Sequence, residues 1–265
     1  QRFAGRLARQ AVGDFYPGPR LMPHAVLHAM DPLLVFAFST VPQGGDELAE
    51  STEAMLRGRP DGPIMLALWG SVRTGEIPHQ DLRELLDLMQ CSWPDCPKNR
   101  GELLAWLMPR ASAIGRCLLS ISGHRSDDAI APAERLGVGL ALTWALARLP
   151  AFVRAGRFPF PLSDLEKCGL SIEELQQGVR TPAIDRFLAT EARWANEMLD
   201  QGLGLNRHLG ARLRRGLRAA VVRARRILDQ VDDPRNDIFR RPPRLAWLTR
   251  WYCAWRGLIG VKPRP

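Results

Sequence analysis

Apolar positions along this chain recur at the three-to-four-residue spacing of helices, and strict alternation is scarce. A short amphipathic segment spans 2–12, and a Pro/Gly-rich loop follows at 16–20. Dense apolar positions (Val26, Leu27, Met30, Leu33, Leu34, Phe36, Phe38) predict a helix over 22–40, with Pro32 early in it or kinking it. The break Pro42-Gln43-Gly44-Gly45 precedes a helix over 46–57 that carries acids in its first turn. Further helical pieces are predicted at 64–72, 80–89, 101–107 and 111–121. The segment 132–149 is apolar nearly all round, which places it in the middle of a bundle. Within it, Gly137 and Gly139 let a neighbouring helix come close. Ser171 with Glu174 forms a capping-box signature, and two long helices are predicted at 181–201 and 206–231. In the second, Leu209, Leu213, Leu217 and Val221 make an apolar stripe, while Arg212, Arg214, Arg215, Arg218, Arg223, Arg225 and Arg226 take the other face. That face reads as solvated rather than as a nucleic-acid interface, because no aromatic interleaving or reading motif accompanies it.

No linker or change of composition divides the chain, so residues 1–265 read as one all-α domain. A hydrophobic share of 46% and a charged share of 25% exclude disorder and collagen-like repeats. No run approaches ~18 uninterrupted apolar residues, and no charged-then-apolar leader is visible. The formal charge of +9 favours anionic partners. Nearly all of it is arginine, since Lys98, Lys167 and Lys262 are the only lysines. Five thinly spread cysteines, with no second Cys or His pair at zinc-finger spacing, read as reduced packing residues of a cytoplasmic protein.

Chemistry is sparse at the level of general motifs. The chain lacks a phosphate-binding glycine loop, a dinucleotide fingerprint, an H-E-x-x-H and a G-x-S-x-G elbow. His24 and His28 stand four apart but do not make a metal site alone. Asp46, Glu47 and Glu50 fall within one helical turn. Carboxylates so placed either complement the helix dipole or hold Mg²⁺, whose remaining positions a substrate's phosphate oxygens would fill.

Several blocks in order resemble the squalene/phytoene synthase family. Asp14-Phe15-Tyr16 followed by Arg20-Leu21-Met22-Pro23 is similar to the family's S-F-Y…L-L-P opening. Phe36-Ala37-Phe38 leading to Asp46-Glu47-Leu48-Ala49-Glu50 resembles its first aspartate motif, F-A-R-x-x-D-D-I-A-D. Ala113-Ile114-Gly115-Arg116 looks like a V-G-R step. Leu136-Gly137, Leu142-Thr143 and the stretch from Gly156-Arg157 to Phe160-Pro161 resemble L-G…Q-L-T-N…R-R-G-R-x-Y-L-P, and Asn236 to Arg241 resembles the terminal D-x-F-x-R-R. The resemblance implies a single-domain isoprenoid-synthase helical bundle with a central cavity, Mg²⁺ as cofactor and an allylic prenyl diphosphate as substrate.

The departures fall on the chemistry. Where the family's second motif reads N-x-L-R-D-V-x-x-D, this chain carries Trp144, Arg148 and Phe152, so both aspartates are gone. Thr40 replaces the arginine before the first motif, and Pro42 to Gly45 are inserted. On this reading Asp46, Glu47 and Glu50 hold Mg²⁺, and Arg20, Arg148, Arg157 and Arg241 neutralise the diphosphate. Phe15, Trp144 and Phe152 line an apolar wall that suits a flat uncharged acceptor. The expected activity is transfer of one prenyl group to an aromatic acceptor, as in carbazole-type members of the family. The alternatives are a non-catalytic scaffold or assembly factor and, third, head-to-head condensation of prenyl diphosphates. At the C-terminal end, Trp247, Trp251, Tyr252 and Trp255 with Arg244, Arg250 and Arg256 form a helix that packs over the bundle end or lies on a membrane surface.

Overall fold

The structure, a computed structural model, describes residues 6–8, 24–39, 45–89, 93–124, 126–259 and 261, and every regular element among them is helical. In chain order these are α1 (His24–Ser39), α2 (Gly45–Leu56), α3 (Gly62–Arg73), α4 (His79–Met89), α5 (Arg100–Ile121), α6 (Ile130–Arg154), the short α7 (Leu162–Lys167) and α8 (Ile172–Gln176), α9 (Pro182–Gly202), α10 (Ala211–Asp232) and α11 (Trp247–Ile259). The all-α expectation holds.

Side chains at the helix entries explain several boundaries. Asn99 Oδ1 accepts from the Glu102 amide at 3.0 Å and starts α5. Ser171 and Glu174 close the anticipated capping box of α8. Thr181 accepts from the Ile184 amide at 3.3 Å, with Pro182 in the first turn of α9 where a missing N–H costs nothing. Two boundaries differ from expectation. The pieces predicted at 101–107 and 111–121 are one helix running through Pro109. Leu103, Leu107, Ala111 and Leu119 are buried in the main core and Cys117 in a second one, and that burial outweighs the hydrogen bond proline removes, a cost of ~3 kcal/mol. Conversely, the helix predicted at 206–231 forms but starts later. Leu203–Arg207 is a 3₁₀ turn, and α10 starts only after Gly210, whose backbone is extended.

Consecutive long helices run antiparallel, and glycines set their closest approaches. A Cβ on Gly137 would stand 2.8 Å from Ala111 Cβ, and Gly115 faces Ala133, which joins α5 to α6. A Cβ on Gly139 would meet the Leu199 backbone nitrogen at 2.8 Å, and one on Gly202 would meet Leu136 at 2.7 Å, which joins α6 to α9. Helix α6 is thus the centre of the bundle. The segment Asp127–Arg154 is long and apolar enough to cross a bilayer, but 56% of its most apolar stretch is buried inside the protein, as in a core helix.

Below the C-terminal end of α6, Phe158, Phe160 and Phe187 are fully buried with ring centroids 5.9–6.3 Å apart. A second core under α3 and α4 gathers Leu33, Leu68, Ile77, Leu82 and Leu85. The arginine face of α10 needs a correction: Arg223 and Arg225 are buried, and Arg225 is paired with Asp200 of α9. That carboxylate lies on another helix, so the periodicity of α10 gave no sign of it. Cys96, Cys117, Cys168 and Cys253 are free thiols, three of them buried.

Candidate functional site

Most faces of α6 are packed away, with Leu142, Thr143, Ala145, Leu146, Leu149, Pro150 and Val153 buried. The less buried positions Leu140, Ala141, Trp144, Ala147, Arg148 and Phe152 fall on one stripe at i, i+4 spacing. The structure therefore brings together Trp144, Arg148 and Phe152, the three residues that replace the family's second motif.

Two residues from elsewhere complete an aromatic group around them. Trp93 sits before α5 and stacks on Trp144, with centroids 6.1 Å apart and planes 28° from parallel. Trp106 of α5 lies 5.1 Å from Trp93, and Phe152 stands 5.8 Å from Trp144 and 6.3 Å from Trp93. Trp93 is held by its indole N–H, which donates to the Pro159 carbonyl at 3.1 Å. The indole N–H groups of Trp106 and Trp144 are buried without an acceptor among the described residues. No signal in the sequence tied Trp93 and Trp106 to this group, because a single tryptophan in a separate segment reads as core.

Two guanidinium groups lie on these rings. Arg110 sits 3.7 Å from the Trp106 centroid, donates to the Trp106 carbonyl at 2.8 Å and also binds the Leu88 carbonyl. Arg148 sits 4.5 Å from the Trp144 centroid, and burial pulls its pKa below the ordinary arginine value. No ion pair to Arg148 occurs among the described residues. It is a cation held against an aromatic face, an attraction that grows as water is excluded.

The remaining expected site residues are dispersed. Arg157 is half-buried and donates to the Trp93 carbonyl at 2.6 Å, so it braces the aromatic group. Arg241 is exposed after a turn that Arg180 ties to the entry of α9 through the Asn236 and Val231 carbonyls. Glu50 is exposed on α2. Asp46 and Glu47 lie in the first turn of that helix, but their side chains, like Phe15 and Arg20 altogether, fall outside the described residues. Among the described residues no three His, Cys, Asp or Glu side chains converge as a metal site. The α6 stripe does not fit a divalent cation, because a guanidinium and a phenyl ring stand where oxygen ligands would be needed. Hollows of about 510 and 520 Å³ lie away from the stripe, between α2 and α4 and between α10 and α11.

One buried acid belongs to no expected motif. Glu191 of α9 is fully buried, and burial pushes its carboxyl up to about 8. Arg100 lies 3.5 Å away and opposes that rise, while the charge of Asp164 adds to it. Asp164 is buried too, but the bonds it accepts from Lys167 and from Arg100 (2.8 and 2.5 Å) hold it below the usual carboxylate value. One arginine thus faces one ionised and one protonated carboxyl.

The sequence profile of the squalene/phytoene synthase family matches residues 40–251, most of the chain. The chain belongs to the squalene/phytoene synthase family. Members of this family are prenyltransferase-type enzymes acting on prenyl diphosphates. The chain is 27% identical over 229 residues to a phytoene synthase of Mycobacterium tuberculosis, covering 80% of this chain and 74% of that one. It is 24% identical over 278 residues to a phytoene synthase of Arthrospira platensis, covering 93% and 87%. Among solved structures, a dehydrosqualene synthase in complex with ligand superposes with a TM-score of 0.80 at 16% identity over 97% of this chain and 94% of that one. A squalene synthase from Alicyclobacillus acidocaldarius gives 0.73 at 19% identity over 87% and 92%. These two likenesses establish the isoprenoid-synthase fold. The named relatives are synthases of the head-to-head class, and the carbazole-type subclass is not among them.

Proposed function

We propose that this chain transfers the prenyl group of a single allylic diphosphate to an acceptor that is aromatic and carries no diphosphate of its own. The observation that carries this reading is the α6 stripe. Joining two diphosphates head to head needs leaving-group charge neutralised on both walls of the site. Here one wall is Trp144, Arg148 and Phe152 with Trp93 and Trp106 behind them, a surface of π faces, one cation and two spare N–H donors. Such a wall stacks on a flat ring and offers nothing to a second metal ion. Asp46, Glu50 and Glu47 would hold Mg²⁺ on the other wall, where it would draw charge from the departing diphosphate. Arg148, desolvated and near the rings, would face that same negative charge, and the aromatic faces would shield the allylic cation from water.

The test is thermal unfolding with and without Mg²⁺ in the presence of dimethylallyl, geranyl or farnesyl diphosphate. A ligand that binds only the folded state adds about 2.7 kcal/mol at a hundredfold excess over its Kd. A Mg²⁺-dependent rise with one donor, lost in Asp46→Ala, is the expected result. Incubation of that donor with indole and carbazole acceptors should then release diphosphate and give a prenylated ring. A hydrocarbon formed from farnesyl diphosphate alone would overturn the reading in favour of head-to-head condensation. No stabilisation by any donor would overturn it in favour of a non-catalytic scaffold, to which loss of the second acidic motif also points.

A further inference from the structure

Helix α11 is turned the wrong way round for a helix of a bundle. Its residues Leu248, Trp251, Tyr252 and Trp255 stand at i, i+3, i+4 and i+7, the spacing of a buried stripe, yet they are 63, 56, 40 and 55% exposed. Among the described residues only Leu66 and Val179 are other large apolar side chains so exposed, and each stands singly. The orientation is fixed by the opposite face. Cys253 is fully buried, and a Cβ on Gly257 would come within 2.8 Å of the Arg215 carbonyl and 3.0 Å of Ala219 Cβ on α10. The chain entering α11 is pinned as well: Leu245 is buried, and Gln230 bonds the Arg244 carbonyl and amide at 3.1 Å each. The aromatic stripe cannot rotate inward without breaking these contacts.

The charge around the stripe has one sign. Between residues 240 and 265 the sequence carries seven arginines or lysines and no acid. Arg240, Arg241, Arg244 and Arg256 are exposed, and the Arg226 guanidinium lies 5.1 Å from the Tyr252 centroid. The acids lining the adjoining hollow, Asp229 and Asp233, are paired with Arg226 and Arg235, and Asp237 is paired with Arg240.

We propose that α11 lies flat on an anionic lipid surface, with Leu248, Trp251 and Trp255 in the headgroup–acyl boundary and the arginines on lipid phosphates. At 1.5 Å per residue its 13 residues span about 20 Å, too short to cross a hydrocarbon core of ~30 Å. Tryptophan and tyrosine are the residues that favour the interface, where an apolar ring meets a wet polar edge. A second copy of the chain is a poor occupant. Four half-exposed side chains offer roughly 400 Å², about half of what each partner of a stable dimer buries. Pairing two such faces would also set arginines against arginines.

The test is co-sedimentation of the full chain with vesicles of phosphatidylcholine alone and of phosphatidylcholine mixed with phosphatidylglycerol, alongside sedimentation equilibrium without lipid. The wild-type chain should partition at least about tenfold more strongly to the anionic vesicles and lose that preference as salt shortens the Debye length. Trp251→Glu with Trp255→Glu should weaken partitioning about tenfold or more while circular dichroism shows the helical fold retained, because both side chains are more than half exposed. Arg256→Glu tests the electrostatic part and should reduce only the anionic preference. Equal partitioning of wild type and the double variant, or none to anionic vesicles, would overturn the proposal. So would a dimer that forms without lipid and is lost in the double variant, which would assign the stripe to a second copy.

Discussion

Replacing Glu191 by glutamine should make the protein more stable at pH 8 and remove most of its stability change between pH 5 and 8. The folded state holds this carboxyl protonated up to about 8, while an unfolded chain ionises it near 4.5. Between those values the folded state binds more protons than the unfolded one, so stability is full below about pH 4.5 and is lost as pH rises towards 8. At ~1.4 kcal/mol per pH unit for one proton, the loss is on the order of 4 kcal/mol, or roughly 10 °C in melting temperature for a chain of this size. Glutamine has nearly the same shape and no proton to lose. Asp164 has the opposite sign, but its depressed pKa means that its contribution is full above about pH 4 and is lost only below it, outside the window. The Cys117 thiol, pushed up to about 12 by burial, acts only above the range where a free thiol ionises. The assay is thermal unfolding by circular dichroism from pH 5 to 8 at constant ionic strength. Wild type should fall while Glu191→Gln stays flat, the two converging at pH 5. Parallel profiles, or a variant weaker than wild type at pH 8, would mean that Glu191 is ionised and held by Arg100, and the reasoning would fail.

Two further outcomes follow from single positions. Gly202→Ala should cost about 2 kcal/mol or more in denaturant unfolding, because the added methyl meets Leu136 backbone and side chain at 2.7 Å, whereas Gly70→Ala in α3, with nothing within 4 Å, should gain up to about 1 kcal/mol. Arg148→Met should raise stability by about 1 kcal/mol by removing a half-buried cation with no carboxylate partner among the described residues, while weakening stabilisation by prenyl diphosphate; a variant that loses stability would show that an acid outside the described residues holds Arg148.

What the sequence disclosed, and what it withheld, follows from the range of each interaction. Capping is local, so Ser171 with Glu174 was legible. Gly137 and Gly139 were legible because a helix with no polar face has to be crossed closely by its neighbours. Pro109 misled because its local cost is outweighed by burial that depends on α6. Arg223 and Arg225 misled because Asp200, which pairs with Arg225, comes from α9. At the site, Trp144, Arg148 and Phe152 were found as departures from a known pattern. Trp93, Trp106 and the pair Asp164 and Glu191 were not, since they are assembled from segments whose order in the chain carries no mark of their meeting.

The exposed stripe of α6 shows why its composition weighs more than that of any other segment. Its other faces are buried against neighbouring helices, so a substitution there costs packing, whereas 144, 148 and 152 are half-buried. In a family that uses acids on such a stripe, replacing them with alanine alone would have sufficed to abandon the metal. This chain instead carries a tryptophan, an arginine stacked on it and a phenylalanine edge-on to the same ring, backed by a second tryptophan with a bonded N–H. Each of these contacts orients the next, as the proposed acceptor wall requires. A rigid aromatic wall with one desolvated cation is costly to keep for packing alone, since leucines would fill the same space without leaving two indole N–H groups unbonded. The arrangement is economical if a flat ligand with an acceptor atom occupies that wall.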